Sequence, residues 1–468
     1  MFQNSTIAAI STGLTDSGIG IIRISGPDAI AVGNCMFHTL SGNAALKNAE
    51  SHMLKYGLAV DANGIVIDEV MAVVMKAPKS FTGEDTVEIQ CHGGLLVMHK
   101  ILEASLKFGA RLAEPGEFTK RAFLNGKIDL SRAEAVMDVI QSRNEYALAF
   151  SVKQLCGNLS EAVKQLRAEI LYEIAYIEAA LDDPEHISLD GYPKELKEKV
   201  SCMIEKISKL LDTADNGRLM KEGISTVILG KPNVGKSSLL NLLVGEERAI
   251  VTDIAGTTRD ILEEHINLHG IGLNVIDTAG IRDTQDKVEK IGVERARQYA
   301  KDADLIVFVA DSSVPLDEND REILSLISDK KAMILLNKSD LNCVVSEENL
   351  RKLMKESLSE RKDIPIIKIS ATEHTGIDKF ENSIKEMFFH SQLSNNSEII
   401  ITNLRHKEAL QNSYESLLLV KQSIENGMEE DFYSIDLMNA YSELGKIIGE
   451  EVDDDIIDEI FSKFCMGK

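Results

Sequence analysis

The stretch Gly230-Lys231-Pro232-Asn233-Val234-Gly235-Lys236-Ser237 constrains the fold of this chain more than any other. It fits GxxxxGK[ST], follows the β-branched run Ser225–Gly230 and opens an apolar helical pattern at Ser237–Val244. Strand, glycine-rich turn and helix in that order predict a loop whose backbone N–H groups converge on phosphates at a helix N-terminus. In such a loop Lys236 reaches the β- and γ-phosphates and Ser237 ligates Mg²⁺, while Asn233, Val234, Gly235 and Ser238 complete the cradle. Further β-rich runs at Leu273–Asp277, Leu305–Ala310, Met333–Asn337 and Ile366–Ser370 are mostly separated by helical stretches. That alternation predicts a mostly parallel, doubly wound sheet covered on both faces.

The loop alone specifies a nucleoside triphosphate. The base is specified by Asn337-Lys338-Ser339-Asp340, directly after the run that ends at Asn337. The Asp340 carboxylate can accept from guanine N1–H and N2–H₂, a donor pair that adenine lacks. A site built around that match discriminates by up to ~10⁴–10⁵. Lys338 is placed to lie over the base and Asn337 to meet its N7 edge. Ser370, Ala371 and Thr372 follow the next strand and offer a backbone N–H to the guanine oxygen. Asp277-Thr278-Ala279-Gly280 closes another strand: Asp277 suits a water-mediated hold on Mg²⁺, and the Gly280 N–H suits the γ-phosphate. Between this motif and the first helix lie Thr252, Asp253, Ile254, Ala255, Gly256, Thr257 and Thr258, with Thr258 expected to close on Mg²⁺. All five motifs of translation-factor-type GTPases thus occur in order, inside a Ras-like P-loop domain. The position after Gly280, where Ras-type enzymes carry a water-orienting Gln, is Ile281, which cannot polarise water. Glu289 is the best nearby carboxylate for that task.

The flanks differ in character. Residues 1–125 read as α/β, with strands expected at Gly20–Ile24, Glu69–Met75 and Thr86–Ile89 and a helix over Leu95–Phe108. From 126 to 220 and again from 389 to 468 the pattern is helical, at Ser160–Leu181, Lys194–Leu211, Leu404–Ile424 and Phe432–Ile448. The economical organisation is one helical-bundle domain interrupted by an inserted domain at 221–388. The acidic run Glu450–Glu459 reads as a solvated helix face, and His92 as a packed or hydrogen-bonded structural histidine.

The formal net charge of −24 argues against a broad nucleic-acid-coating face, so any RNA must meet a local patch or a partner subunit. The six cysteines form no CxxC pair, which speaks against a zinc ribbon and fits a reducing compartment. No apolar run reaches the ~18 residues of a membrane span, and the N-terminus has no basic leader. A cytoplasmic protein with no membrane partner is expected.

Beyond the five motifs, several long strings identify a family: Gly18–Pro27 (GIGIIRISGP), Phe81–Gly94 (FTGEDTVEIQCHGG), Glu114–Val136 (EPGEFTKRAFLNGKIDLSRAEAV), Val288–Ala296 and the terminal Phe464–Lys468 (FCMGK). Together they closely resemble the tRNA-modification GTPase (MnmE, also TrmE) family, among TrmE–Era-type P-loop GTPases. The resemblance spans nearly the whole length. It implies an N-terminal dimerisation domain that binds 5-formyl- or 5,10-methylene-tetrahydrofolate, so that the chain is a homodimer. It implies an FAD-containing MnmG-type partner, joined in a heterotetramer, and modification of C5 of the wobble uridine of certain tRNAs to an aminomethyl or carboxymethylaminomethyl form. Folate contacts carry over to Arg23, Glu88, Lys127 and Lys468, and potassium ligands to Asn233, Thr252, Ile254 and Thr257. The water-orienting carboxylate carries over to Glu289, and an essential C-terminal cysteine to Cys465. Hydrolysis in the family is potassium-dependent, with G domains paired across the dimer. The loop Thr12–Ser17 departs from the family's Gly/Arg-rich stretch. The competing reading is a GTPase switch in ribosome assembly, which the acidic balance and the folate-type strings disfavour.

Overall fold

The computed structural model describes residues 5–40, 46–246, 263–268, 270–276, 299–327, 330–357, 364–389, 399–464 and 467. The chain divides into two compact units. One comprises Met1–Met137, Gln154–Val200 and Glu415–Lys468; the other comprises Asp138–Lys153 and Ser201–Tyr414.

In the first unit the N-terminal strands are β1 (Ile7–Ile10), β2 (Ser17–Ser25), β3 (Phe37–His38), β4 (Leu54–Val60), β5 (Val66–Met75), β6 (Thr86–Gly93) and β7 (Arg111–Leu112). They form a sheet in the order β3-β4-β5-β6-β2-β1-β7. Neighbours run antiparallel except β1 and β7. The three expected strands lie within β2, β5 and β6. Helices α1 (Ala29–Met36) and α2 (Leu95–Lys107) contribute Val32, Met36, Met98 and Ile101 to a core shared with Ile22, Ile24, Val74 and Ile89. Each such residue, fully buried, contributes about 1.5–3 kcal/mol. The period of two leaves Glu88, Gln90 and His92 of β6 on the other face. His92 is exposed there, with Nδ1 2.8 Å from Asp68 Oδ1, so it is hydrogen-bonded rather than packed.

Helix α3 (Glu117–Leu124) follows. Its Glu117 is buried and accepts from Arg111 and Arg121, and Arg121 also reaches Glu84 at 3.1 Å. Burial pushes the Glu117 carboxyl up, but Arg111, the Glu114 backbone N–H and Arg121 outweigh it and hold it below its ordinary value. The helical region continues with α4 (Leu130–Gln141), α5 (Glu145–Leu155), α6 (Asn158–Asp182), α7 (Tyr192–Asp212) and α8 (Ala214–Glu222). On α6, Leu159, Val163, Leu166, Ile170, Ile174 and Ile177 recur at helical spacing and are all buried.

The second unit holds β8 (Ile224–Leu229), α9 (Lys236–Glu246), β9 (Glu263–Leu268), β10 (Ile271–Ile276), β11 (Leu305–Asp311), α10 (Glu318–Ser325), β12 (Ala332–Asn337), α11 (Glu347–Ser357), β13 (Ile366–Lys368) and α12 (Ile377–Phe389). The sheet order is β13-β12-β11-β8-β10-β9. All neighbours are parallel except β9, an antiparallel edge strand that the polar run EEHINL did not announce. Separate apolar clusters cover the two faces, as the continuous burial of β12 requires.

Three helices end the chain: α13 (Leu404–Glu425), α14 (Glu430–Ile448) and α15 (Asp454–Ser462). The acidic run is only partly helical: α15 starts at Asp454, and Glu450 and Glu451 precede it. Both carboxylates pair with Arg167 of α6, whose guanidinium lies 4.0 Å from the Tyr441 ring centroid. A buried guanidinium needs such partners, and both glutamates stay exposed, so the solvated reading of the run holds while two of its carboxylates also neutralise Arg167. Among the described residues no helix is long and apolar enough to cross a membrane.

Candidate functional site

β8 delivers the chain to Gly230, and the turn that follows starts α9 at Lys236. Gly235 sits at φ +97°, and a Cβ there would lie 2.2 Å from Asn337 Nδ2. Only glycine meets both conditions. Asn233 takes φ +63°, a conformation asparagine tolerates better than most residues, and its side chain is exposed. Ser237 and Ser238 are exposed at the start of α9, and Val234 is buried beneath the turn. Lys236 Nζ donates to the carbonyls of Gly230 and Lys231, both at 2.7 Å, so the ammonium is curled over the loop it is expected to serve. Exposed hydroxyls and a helix N-terminus below a lysine suit a phosphate chain with its divalent cation.

The second half of the site comes from the ends of β12 and β13. Asn337 is 2% exposed. Its Nδ2 donates to Val234 O at 2.8 Å, and its Oδ1 accepts from Ala371 N at 3.2 Å. This one amide ties the phosphate loop to both base-side loops. Sequence reasoning assigned Asn337 to the N7 edge and missed the brace, whose partners lie 103 and 34 residues away. Lys338 adopts φ +61° and donates to Asp311 Oδ2 at 2.6 Å. Burial pushes the Asp311 carboxyl up, but Lys338 and Ser313 outweigh it and hold it below its ordinary value. Ser312, 2% exposed, donates from Oγ to Lys338 O at 3.0 Å and fixes the loop from below. Asp340 is exposed and accepts at Oδ1 from Ser370 Oγ at 2.6 Å. That bond orients the carboxylate and leaves Oδ2 for a ligand. Ser370 and Thr375 exchange backbone bonds, which closes the loop carrying Ala371 and Thr372.

Thr252, Asp253, Ile254, Ala255, Gly256, Thr257, Thr258, Asp277, Thr278, Ala279, Gly280 and Glu289 lie outside the described residues, as do Cys465 and Lys468. The structure therefore brings together Asn233–Ser238, Asn337, Lys338, Asp340 and Ser370–Thr372.

In the first unit, Arg23 and Glu88 face each other across β2 and β6 and pair at 2.8 Å, both less than a fifth exposed. The Arg23 guanidinium lies 5.7 Å from the Phe81 ring centroid and 5.6 Å from that of Phe118. A cation and a carboxylate beside aromatic faces suit a flat ligand with a polar edge. Lys127 Nζ donates to Pro78 O at 3.0 Å, and its stem lies against Gly83. The chain's end returns to the same sheet. Phe461 and Phe464 are buried against Leu130, Ala133 and Met137, and Ser11 Oγ donates to Gly467 O at 3.1 Å. Ser11 follows β1, whose Ala9 is the register partner of Arg23.

Two family models match the chain: GTP-binding protein TrmE N-terminus over residues 6–127, and MnmE helical domain over residues 130–465. The chain belongs to the MnmE (TrmE) family of tRNA-modification GTPases. A protein of Lachnoclostridium phytofermentans named tRNA modification GTPase MnmE is 58% identical over 466 residues, covering 100% of both chains. MnmE proteins of Clostridioides difficile and Acetivibrio thermocellus are each 47% identical, again over 100% of both chains. Identity at this level over both MnmE units makes the present fold a P-loop GTP hydrolase joined to a TrmE-type N-terminal domain and the helical domain of MnmE.

Proposed function

We propose that this chain hydrolyses GTP in a potassium-dependent way and, with an FAD-containing MnmG-type partner, modifies C5 of the wobble uridine of certain tRNAs, drawing a one-carbon unit from a tetrahydrofolate. What supports the nucleotide half is the Asn337 brace, whose amide bonds both Val234 O and Ala371 N, next to the Ser370-bonded carboxylate of Asp340 that this reading gives to guanine. Residues 221–388 act as the inserted G domain, 126–220 and 389–468 as the helical domain, and 1–125 as the folate-binding and dimerisation domain of a homodimer.

In this reading Lys236 leaves the loop carbonyls for the β- and γ-phosphates. The N–H groups at the start of α9 receive the phosphate oxygens, and Ser237 with Thr258 holds Mg²⁺. Asp340, aimed by Ser370, accepts from guanine, and the N–H groups of Ala371 and Thr372 serve the guanine oxygen. Asp277 and Gly280 meet the magnesium water and the γ-phosphate. Glu289 orients the attacking water in place of the missing glutamine. Asn233, Thr252, Ile254 and Thr257 hold potassium, and the exposed Asn233 side chain offers a neutral oxygen beside the phosphates. A monovalent cation held by these residues would supply positive charge beside the phosphates.

Arg23, Glu88, Lys127 and Lys468 form the folate site. What supports this is the half-buried Arg23–Glu88 pair between Phe81 and Phe118, together with Gly467 bonded to Ser11 beside the same strands. When bound, the folate supplies the one-carbon unit. Glu88 would take the donor edge of its pterin with Arg23 paired beside it, and Lys127 and Lys468 would suit its anionic tail. Cys465 is assigned an essential role at the same end of the chain. The acidic balance supports tRNA being held by a local patch or by the partner subunit, and a cytoplasmic location accords with this activity.

The test is GTP hydrolysis by the purified chain in potassium and in sodium at matched ionic strength, with Glu289→Ala alongside. Strong stimulation specific to potassium, lost in the variant while nucleotide binding persists, is the expected result. Equal rates in both salts would remove the potassium site and reopen the assembly-switch reading.

A further inference from the structure

The first turn of the phosphate loop is fixed by a contact that lies outside every nucleotide motif. Gly230 runs so close to β11 that a Cβ on it would lie 2.4 Å from Val309 O. From there the Lys231 side chain reaches to the start of α10, the helix that follows β11. Its Nζ lies 2.9 Å from Asp317 Oδ2 and 2.8 Å from Asp320 Oδ2. The Lys231 side chain is 18% exposed and that of Asp320 only 1%.

The start of α10 is a firm anchor. Asp317 is its N-cap and accepts from the backbone N–H groups of Asn319 and Asp320, while Asp320 Oδ2 accepts from Asp317 N at 2.9 Å. This reciprocal capping box orients both carboxylates independently of the lysine. Leu324, one turn on, is buried in the cluster that includes Ile306, Phe308 and Leu336, which fastens the helix to the sheet. The exposed Asp317 adds little to the pairing by itself. The buried Asp320 carboxylate is different: stripped of its cation, it is strongly unfavourable.

The backbone of Lys231 has a second partner. Lys231 O, together with Gly230 O, accepts from Lys236 Nζ at 2.7 Å. One residue thus holds α10 with its side chain and the phosphate lysine with its carbonyl. We infer that Lys231 is a positioning residue: tied to Asp317 and Asp320, it fixes the peptide whose carbonyl aims Lys236 at the β- and γ-phosphates. Without the tie that peptide is free to turn, and two unneutralised carboxylates stand beside the phosphate loop. The cost therefore falls on nucleotides that carry a β-phosphate. The inference rests on guanine-nucleotide binding at this loop, and not on the tRNA or folate chemistry.

The test is competition by GDP and by GMP against a labelled guanine nucleotide on the full chain, with wild type, Lys231→Met, Lys231→Arg, Asp320→Asn and the double variant Lys231→Met/Asp320→Asn. GMP has no β-phosphate, so it reports the base side without Lys236. Lys231→Met weakens GDP about tenfold and leaves GMP within about twofold of wild type. Lys231→Arg, which keeps a cation on both carboxylates, restores GDP binding. The double variant is no weaker than the worse single one, since both changes remove the same pair. Asp320→Asn keeps an acceptor for the Asp317 N–H and gives the same selective loss, should Lys231→Met fail to fold. A merely structural pair would weaken GDP and GMP in parallel. The inference is overturned by that parallel loss, by losses that add in the double variant, by GDP binding within about twofold of wild type in both single variants, or by failure of Lys231→Arg to restore it. Absence of guanine-nucleotide binding by the wild-type chain would instead sink the reading of the site on which the inference stands.

Discussion

Replacing Asn337 with alanine removes the brace between the phosphate loop and the base-side loop. Val234 O then loses its donor and Ala371 N its acceptor. An unpaired buried backbone group costs about 1–3 kcal/mol, and water can relieve the more open Ala371 side. The sum is roughly 2–4 kcal/mol. Both loops are surface turns, so most of this cost falls on holding them in the geometry that receives nucleotide. At about 1.4 kcal/mol per tenfold, GDP binding weakens roughly 30- to 1,000-fold. Gly235→Ala attacks the same contact from the other side, because its Cβ would meet Asn337 Nδ2 at 2.2 Å in a backbone conformation that alanine disfavours. Both variants belong in a fluorescence titration with a labelled guanine nucleotide, with circular dichroism to confirm that each is folded. Folded variants that bind within threefold of wild type would refute the idea that this amide holds the site together.

Three further outcomes are expected. Asp340→Asn turns one acceptor into a donor, so it weakens GTP binding by about 10²-fold or more and shifts preference towards xanthosine triphosphate, read by competition. Cys91 is buried, and burial with the Asp68 charge beside it pushes its thiol up to about 11, so native protein at pH 8 leaves it unalkylated while exposed Cys35 is modified, mapped by mass spectrometry. The carboxyls of Glu117 and Asp311 lie below their ordinary values of 4.5 and 3.8, so the stability they contribute is present above those values and lost as pH falls through the depressed ones. Glu117→Gln and Asp311→Asn are accordingly less stable than wild type at pH 7, and the difference shrinks below about pH 4 in thermal unfolding.

Much of the site was legible because its chemistry is local. Gly235, Lys236 and Ser237 sit within one turn, and Asn337, Lys338 and Asp340 within another, each after a short apolar run that reads as a strand. The braces were not legible. Asn337 to Val234, Ser370 to Asp340, and Lys231 to Asp320 are long-range pairs chosen by the fold, and no local pattern encodes them. β9 was missed for a related reason: its polar sequence gains strand character only by pairing with β10 at the sheet edge. The run Glu450–Glu459 looked uniformly helical because its spacing is, yet the buried Arg167 recruits Glu450 and Glu451. The strings around Arg23 and Glu88 pointed to the correct strands but not to the pairing of the two residues with each other.

The central claim is that this GTPase acts on the tRNA wobble position. The most direct measurement is nucleoside mass spectrometry of tRNA from cells lacking the chain, complemented with wild type or with Asp340→Asn. Loss of C5-aminomethyl-type wobble uridines, restored by wild type and not by the variant, is the predicted result. Unchanged wobble uridines in the absence of the protein would contradict the account.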